Sequence, residues 1–377
     1  MKGRIEDYRD PRLTDQLLRD IHDVAGSASS RTISLMEVCG THTMAIARYG
    51  IRSLLPDNLK LLSGPGCPVC VTPAGYVDTA ISLSRNPDVT VVTFGDLMRV
   101  PGSDSSLAVA KAAGADIRVA YSPSYALELA RNQPERKVVF LAIGFETTSP
   151  SLAWTLVQAK ESRLSNLSFL CACKLIPPAL HALASSDEVK IDGLLCPGHV
   201  STIIGTAPYE QLARQYGIPC VVAGFEPVDV LLSVLLLCRR IARGEAKVDI
   251  EYSRSVPKEG NPKALKLLGQ VFEPADSAWR GLGTIPDSGL EIRSGLSDHD
   301  AKTVFGVDIP LGKDNPACRC GDVLRGVISP PECPLFRTAC NPLTPVGACM
   351  VSGEGACAAF YKYCELEHKK GTQPHGN

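Results

Sequence analysis

The feature that most constrains the fold is a unit of apolar strand, turn and helix that recurs between residues 33 and about 244. Each strand segment is short and continuously apolar, as is typical of strands covered on both faces in a parallel sheet. The intervening segments, such as SSLAVAKAAGA and APYEQLARQYG, have the periodicity of crossover helices. The pattern therefore predicts an α/β architecture. The eight strand segments are ISLMEV, LKLLSG, VTVVTFG, IRVAYS, KVVFLAIG, LSFLCACK, IDGLLCPG and IPCVVAGFE.

Eight strand–helix units allow either one closed (β/α)₈ barrel or two open, doubly wound sheets of four strands each. The charged segment RNQPERK, residues 131–137, interrupts the periodicity between the fourth and fifth units and favours two halves. We therefore predict a first α/β domain over 1–130 and a second over 131–245. In both topologies, ligand chemistry is expected at the carboxyl ends of the strands.

The composition changes after about residue 245. Residues 251–316 are rich in Pro, Gly and charged side chains, and 316–364 contains seven cysteines within 49 residues. Because long apolar runs are missing there, we predict that 246–377 forms a third domain stabilised by a metal centre. The chain has 15 cysteines in total, an odd number that argues against a secreted disulfide framework.

Charge and hydropathy exclude two classes of partner. The chain carries 39 basic and 40 acidic side chains, without the positive excess of a nucleic-acid-binding protein. Its N-terminus lacks the apolar core of a signal peptide, and the longest apolar run, 228–238, is far shorter than the ~20 residues of a membrane span. We expect a soluble, cytoplasmic protein that binds neither nucleic acid nor membranes.

Two cysteine motifs directly follow the first two strand segments. Cys39 and His42 belong to CGTH, where a helix N-terminus would favour the thiolate and the imidazole can orient it, bind a metal or move protons. A buried apolar cysteine beside a surface histidine is the alternative. Cys67 and Cys70 form a C-x-x-C pair, typical of redox-active dithiols or of half a zinc site.

If the first two strands are neighbours, the turns that bear Cys39, Cys67 and Cys70 meet at one edge of a sheet. Three thiolates and an imidazole would then form a soft site suited to iron, copper or zinc. The C-terminal cysteines are spaced C-x6-C-x8-C-x7-C from Cys333, unlike the compact ferredoxin run, and structural zinc is the alternative there. That group comprises Cys318, Cys320, Cys333, Cys340, Cys349, Cys357 and Cys364.

Other turns place polar side chains after strand segments, where an acidic residue either caps the following helix or lines the cleft. These residues are Asp96, Arg99, Glu146, His199 and Glu226. Four further cysteines lie within apolar runs and are predicted to be core residues: Cys171, Cys173, Cys220 and Cys238.

Several long motifs, in order along almost the whole chain, resemble the HypD family of [NiFe]-hydrogenase maturation proteins. They include CGTHT, LLPDNLKLLSGPGCPVCVTP, TFGDLMRVPGS, GFETTSP, CPGHVSTIIG, GFEPVD and PECPLFRTAC. The resemblance implies a scaffold on which the Fe(CN)₂CO moiety is assembled, together with a HypC-type small chaperone and a HypE-type cyanide donor that depends on HypF. It also implies two α/β domains and a C-terminal [4Fe–4S] domain, which favours two sheets over the barrel.

The resemblance also implies roles for individual residues. Iron would be bound by Cys39, Cys67 and Cys70, with His42 as the essential histidine of the CGTH motif. The cluster ligands would be Cys333, Cys340, Cys349 and Cys357, with Cys318 and Cys320 as an alternative pair. The rival hypothesis is a thiol–disulfide oxidoreductase with a structural metal site and no iron at the C-x-x-C pair.

Overall fold

The computed structural model describes residues 5–28 and 31–364. The strands in this part of the chain are β1 (Ile33–Glu37), β2 (Leu59–Ser63), β3 (Val89–Thr93), β4 (Ile117–Val119), β5 (Lys137–Ala142), β6 (Leu167–Cys171), β7 (Gly193–Pro197), β8 (Cys220–Ala223), β9 (Val248–Ile250), β10 (Phe272–Trp279) and β11 (Gly283–Ile292). Each of the eight predicted strand segments forms a strand, because each is a continuous apolar run.

The α-helices are α1 (Pro11–Ala28), α2 (Gly40–Arg48), α3 (Ile51–Leu54), α4 (Pro68–Val71), α5 (Ala74–Ser84), α6 (Leu107–Ala112), α7 (Ser124–Asn132), α8 (Ser149–Glu161), α9 (Ile176–Ala184), α10 (Gly198–Ile204), α11 (Ala207–Tyr216), α12 (Pro227–Ala242), α13 (Pro262–Val271), α14 (Ala301–Phe305), α15 (Cys320–Leu324) and α16 (Ala356–Tyr363). Short 3-10 helices cover Ile5–Arg9, Gly95–Arg99, Ser294–His299, Pro330–Glu332 and Ala348–Met350. Within the described residues, no helix combines the length and apolarity of a membrane span.

The strands form two parallel sheets and one antiparallel hairpin. The first sheet has the order β2-β1-β7-β8-β9, the second has the order β4-β3-β5-β6, and β10 pairs with β11. Helices α1 and α12 cover one face of the first sheet, where Ile21 and Leu231 pack on Leu35 and Leu195. The predicted α/β class with two open parallel sheets is confirmed, and the closed barrel is excluded.

The two sheets do not divide the chain into consecutive halves at 130/131, where the sequence predicted a boundary. Strand β3 pairs with β4 before that point and with β5 after it, so both sides belong to the second sheet. The charged segment 131–137 therefore runs from the end of α7 to the start of β5, within the unit that forms the second sheet. Its Arg136 forms a partly exposed ion pair with Asp116 at a distance of 3.3 Å, so this residue binds back to the sheet.

Residues after 245 contact both sheets. Strand β9 is the fifth strand of the first sheet, and the hairpin β10–β11 bonds to the end of β6 through the Cys173 carbonyl and the Leu290 N–H, 3.1 Å apart. One buried cluster contains Val38 and Cys70 beside the first two strands together with Cys349 and Cys357 from the C-terminal segment. The cysteine-rich segment thus shares its core with the sheets, and the iron–sulfur domain predicted there remains a prediction.

Candidate thiol site

The turns after β1 and β2 are in backbone contact. Cys39 precedes α2 in an extended conformation, and the next N–H, that of Gly40, donates to the Gly66 carbonyl over 2.9 Å. A Cβ on Gly66 would lie 2.3 Å from the Cα of Cys39, so only glycine allows this approach. Strands β1 and β2 are direct neighbours in the sheet, and the predicted meeting of these two turns is observed.

Cys67 and Cys70 are joined by a disulfide, with their Cα atoms 5.3 Å apart. Pro68 occupies the first turn of α4, and the Cys70 N–H also points to the Cys67 sulfur at 3.3 Å. Both cysteines are buried. The redox role that the C-x-x-C spacing suggested stays a prediction.

Burial keeps the Cys39 side chain in its thiol form. Burial and, to a smaller extent, the Glu354 carboxylate raise the pKa of Cys39 to about 11, although the N–H groups of His42 and Thr41 act in the opposite direction. The N–H groups at the start of α2 therefore favour the thiolate, as the sequence suggested, but they form no capping hydrogen bond to the sulfur and the loss of solvent outweighs them. The expected thiolate is therefore disfavoured at neutral pH in this structure.

His42 is fully buried, so the alternative of a surface histidine is wrong. Its Nε2 lies 2.9 Å from the carbonyl oxygen of Gly224, which can only accept, so Nε2 carries the hydrogen. Burial lowers the pKa of His42 to about 4, and the ring stacks on Phe225 with centroids 4.7 Å apart. Its Nδ1 has no hydrogen-bond partner among the described residues and presents a free lone pair.

Glu354 is a site residue that the sequence did not indicate. Its Oε1 accepts a hydrogen bond from the Thr41 hydroxyl over 2.8 Å, and a Cβ on Gly40 would fall 2.5 Å from the Glu354 Cβ. The carboxylate acts on the pKa of both Cys39 and His199. Glu354 lies more than 300 residues after Cys39, and no spacing motif links the two positions.

A cleft of about 670 Å³ opens in front of the disulfide, between the carboxyl ends of the two sheets. Cys67 and Glu354 line it on one side, and Tyr121 and Thr148 line it on the other. The side chain of Tyr121 is fully exposed at its edge. As expected for parallel α/β sheets, the cleft lies where the strands end.

Five C-terminal thiols gather in one neighbourhood. Cys349 interacts with the thiols of Cys320 and Cys357, and these contacts together with burial raise its pKa. The Cys318 and Cys320 sulfurs both lie 2.5 Å from the place where a Cβ of Gly347 would be, which makes glycine necessary there. Cys340 is close enough to Cys318 and Cys320 for their charges to act on its pKa.

The donor set fits a [4Fe–4S] cluster in residue type, because such a cluster needs four thiolates and this neighbourhood supplies five sulfurs. Among the described residues, no three Cys, His, Asp or Glu side chains surround a position for a single metal ion. In a cubane each thiolate binds a different iron, so its ligands need not converge on one point. Cys333 is buried after Pro330–Glu332, and its role as a ligand remains a prediction.

The other polar residues after strands have separate roles. Glu226 caps α12 in a capping box with Asp229, whereas buried Glu146 accepts from the N–H of Ile176 at the start of α9 rather than from its own helix. Asp96 and Arg99 bind the C-terminal segment, and His199 is exposed and stacks on Phe225. The four cysteines predicted as core residues are buried: Cys171, Cys173, Cys220 and Cys238.

The chain matches a known protein family over most of its length. The family model named HypD, with the description hydrogenase formation hypA family, matches residues 12–364. The chain belongs to the HypD family. It is 48% identical over 373 residues to the hydrogenase maturation factor HypD of Rhizobium leguminosarum bv. viciae, covering 97% of this chain and 96% of that protein.

Other HypD relatives have similar sequence identity to this chain. The hydrogenase maturation factor HypD of Cupriavidus necator is 47% identical over 367 residues, with 95% of this chain and 96% of that protein covered. The HypD of Escherichia coli strain K12 is 45% identical over 367 residues, with 96% and 98% covered. The resemblance to the HypD family, first seen in the motifs, thus extends over nearly the full length of the chain.

Proposed function

We propose that this chain is a hydrogenase maturation factor that holds iron while the Fe(CN)₂CO moiety of [NiFe]-hydrogenases is assembled. The observation that carries the proposal is the contact between the Cys39 turn and Gly66, next to Cys67. It brings a single thiol and a dithiol from separate strands to one edge of the sheet. The names of the HypD relatives support the maturation role.

Iron is the cargo in this proposal, and Cys39 is its anchor, alone or with a thiolate from a HypC-type chaperone. Binding converts the Cys39 thiol to a thiolate and releases one proton. That proton leaves to solvent, because the pKa of His42 is lowered to about 4 and its ring stays neutral at physiological pH; we assign to His42 the orientation of the Cys39 turn through its bond to Gly224. Cys67 and Cys70 become ligands only after their disulfide has gained two electrons and two protons.

A cluster held by the C-terminal cysteines is the proposed relay for those electrons, which an external reductant must supply one at a time. A [4Fe–4S] cluster supplies single electrons when it is bound. Cys349 and Cys357 share a buried core with Cys67 and Cys70, so the two groups of thiols are joined by packed protein rather than by solvent. The role of the chain itself is to hold the disulfide at the cleft and to exclude water behind it.

Both partners are proposed to enter through the cleft between the sheets. The cleft leads to Cys67 and has the exposed ring of Tyr121 at its edge, which supports contact with a protein surface. A HypC-type chaperone would bring a thiolate to the iron, and a HypE-type donor would bring cyanide.

The test is a Cys39→Ala variant, with Cys238→Ala as a matched control at another buried cysteine. We expect Cys39→Ala to abolish hydrogenase maturation. We also expect loss of the cyanide and carbonyl infrared bands from protein co-purified anaerobically with the small chaperone. The cluster absorbance of Cys39→Ala should be unchanged. The maturation activity of Cys238→Ala should also be unchanged. Wild-type maturation by Cys39→Ala would refute the proposal.

A thiol–disulfide oxidoreductase is the second candidate, favoured by the disulfide between Cys67 and Cys70. Metal analysis of anaerobically purified protein separates the two functions. The maturation scaffold with its cluster predicts about four irons and a brown absorbance. The oxidoreductase with a structural site predicts zinc and no such absorbance.

A further inference from the structure

A buried ion pair lies beneath both cysteine turns. Glu37, the last residue of β1, accepts from the Arg52 Nη2 over 2.9 Å and from the Ser63 hydroxyl over 2.8 Å. Arg52 also donates to the Ser63 hydroxyl over 3.2 Å, and Ser63 is the last residue of β2. The Glu37 side chain is fully buried and that of Arg52 is 18% exposed.

This pair lies at the starting points of the two turns. Glu37 is separated from Cys39 by one residue, and Ser63 directly precedes the GPGC segment that leads to Cys67. The Gly64 N–H donates to the main-chain carbonyl of Glu37 over 2.8 Å, so main-chain and side-chain bonds join the same two strand ends. Moving the side-chain pair would therefore change the spacing of the turns.

The same guanidinium also contacts the C-terminal segment. The Arg52 guanidinium carbon lies 4.8 Å from the centre of the Phe360 ring. Phe360 is three residues after Cys357 in α16, so the two side chains lie on one face of that helix. Arg52 is thus in contact with both the strand ends and the helix that carries one of the gathered thiols.

Stability does not explain why the pair is there. The Glu37 Oε2 and the Arg52 Nη1 are buried and have no hydrogen-bond partner among the described residues. A buried ion pair with unsatisfied atoms stabilises a fold weakly or not at all, and apolar side chains of similar volume would serve the core as well. Its contribution is geometric, because one guanidinium nitrogen, Nη2, bonds to the last residues of both strands.

We propose that Arg52 and Glu37 are positioning residues that set the spacing between Cys39 and the Cys67–Cys70 pair and tie that spacing to α16. The inference rests on the proposed function, because a fixed spacing matters when three sulfurs must bind one iron. Neither residue touches the iron in this account. Each acts through the backbone of the turn that follows its strand.

The test compares Arg52→Met with Arg52→Lys in the full-length, cluster-loaded protein. The spacing is measured in a Cys70→Ala background by cross-linking Cys39 to Cys67 with dibromobimane and mapping the product by mass spectrometry. The affinity for iron(II) is measured with Cys70 intact, after reduction. Arg52→Met should lower the cross-linking yield and weaken iron binding by about tenfold. Arg52→Lys keeps the charge but lacks the planar guanidinium, so its cross-linking yield and iron affinity should be intermediate.

Arg136→Met is the matched control, because it breaks an ion pair with Asp116 at the amino-terminal edge of the other sheet. It should leave both measurements at wild-type values. Cluster absorbance and a cooperative thermal transition should be retained by Arg52→Met, which separates a positioning role from a structural one. If Arg52→Met does not fold, Glu37→Gln, which keeps an acceptor oxygen, takes its place.

Wild-type cross-linking and wild-type iron affinity in the folded variant would overturn the inference. Failure of the proposed function has a different signature. If the wild-type protein binds no iron(II) at these thiols, the scaffold role falls, while the difference in cross-linking between wild type and Arg52→Met still decides the positioning role.

Discussion

At the strand ends, burial shifts titratable side chains towards their neutral forms. It raises the pKa of Cys39 to about 11 and of Glu146 to about 7, and lowers that of His42 to about 4. Each of these residues could be selected from the sequence because it follows a strand. The direction of each pKa shift could not be predicted, because it depends on the residues that cover the turn. One of these, Glu354, comes from the far end of the chain.

Glu146 gives a prediction of pH-dependent stability. Burial raises its pKa from 4.5 to about 7, so the folded state binds this proton more tightly than the unfolded state. The folded state therefore loses stability as the pH rises from 4.5 through 7, by about 3 kcal/mol. Glu146→Gln should remove this loss, and denaturant unfolding of both proteins across that range measures the difference.

Glu226→Gln is the matched control for this measurement. Glu226 follows the same Gly-Phe-Glu sequence after a strand, but its carboxylate caps α12 and is partly exposed. The control should not remove the pH dependence. If the difference in unfolding free energy between wild type and Glu146→Gln is constant with pH, the Glu146 carboxyl group does not titrate in this range.

At the scale of elements, apolar runs and glycines account for most of what the sequence could predict. The eight strand segments were found because each is continuous and apolar, whereas the three residues of β9 are only partly buried and carry no such signal. The convergence of the Cys39 and Cys67 turns followed from the assumption that β1 and β2 are neighbours. The close approach itself depends on Gly66, because only a residue without a Cβ fits there. That requirement is visible only in three dimensions.

Gly66→Ala tests that approach. Its Cβ would lie 2.3 Å from backbone atoms of Cys39, which cannot rotate away as a flexible side chain could. The turns must then separate, and we expect a loss of about 1–3 kcal/mol in unfolding free energy together with loss of maturation activity. Chemical denaturation and a hydrogenase maturation assay measure the two effects.

The control is Gly269→Ala in α13, an exposed helical position where a new Cβ would meet no atom within 4 Å. Because alanine favours helix more than glycine, this variant should gain up to about 1 kcal/mol. An equal response of the two variants would mean that the Gly66 approach is not needed.

For the whole molecule, the order of the strands in space is what the sequence could not supply. The predicted boundary at 130/131 assumed that consecutive strands share a sheet. The chain instead leaves the first sheet after β2, builds the second sheet from β3 to β6, and returns with β7 beside β1. Local patterns do not encode that return, because Leu35 pairs with Gly193 across a long separation in sequence.

This topology predicts that the fragment 1–130 does not fold. It contains β1 and β2 without β7, and β3 and β4 without β5, so both sheets are incomplete. We expect circular dichroism of the fragment to show no cooperative thermal transition. The fragment 86–186 holds all four strands of the second sheet and should retain more regular structure. A cooperative transition in 1–130 would contradict the strand order.

The interrupted first sheet also has a consequence for synthesis in the cell. Strand β7 is translated roughly 160 residues after β1. At about 5–20 residues per second, β1 leaves the ribosome about 8–32 s before β7, the strand that pairs with its other edge. During that interval the nascent chain has an unpaired strand edge, and the Cys67 and Cys70 thiols are not yet buried. We expect this state to bind chaperones and to be open to premature oxidation.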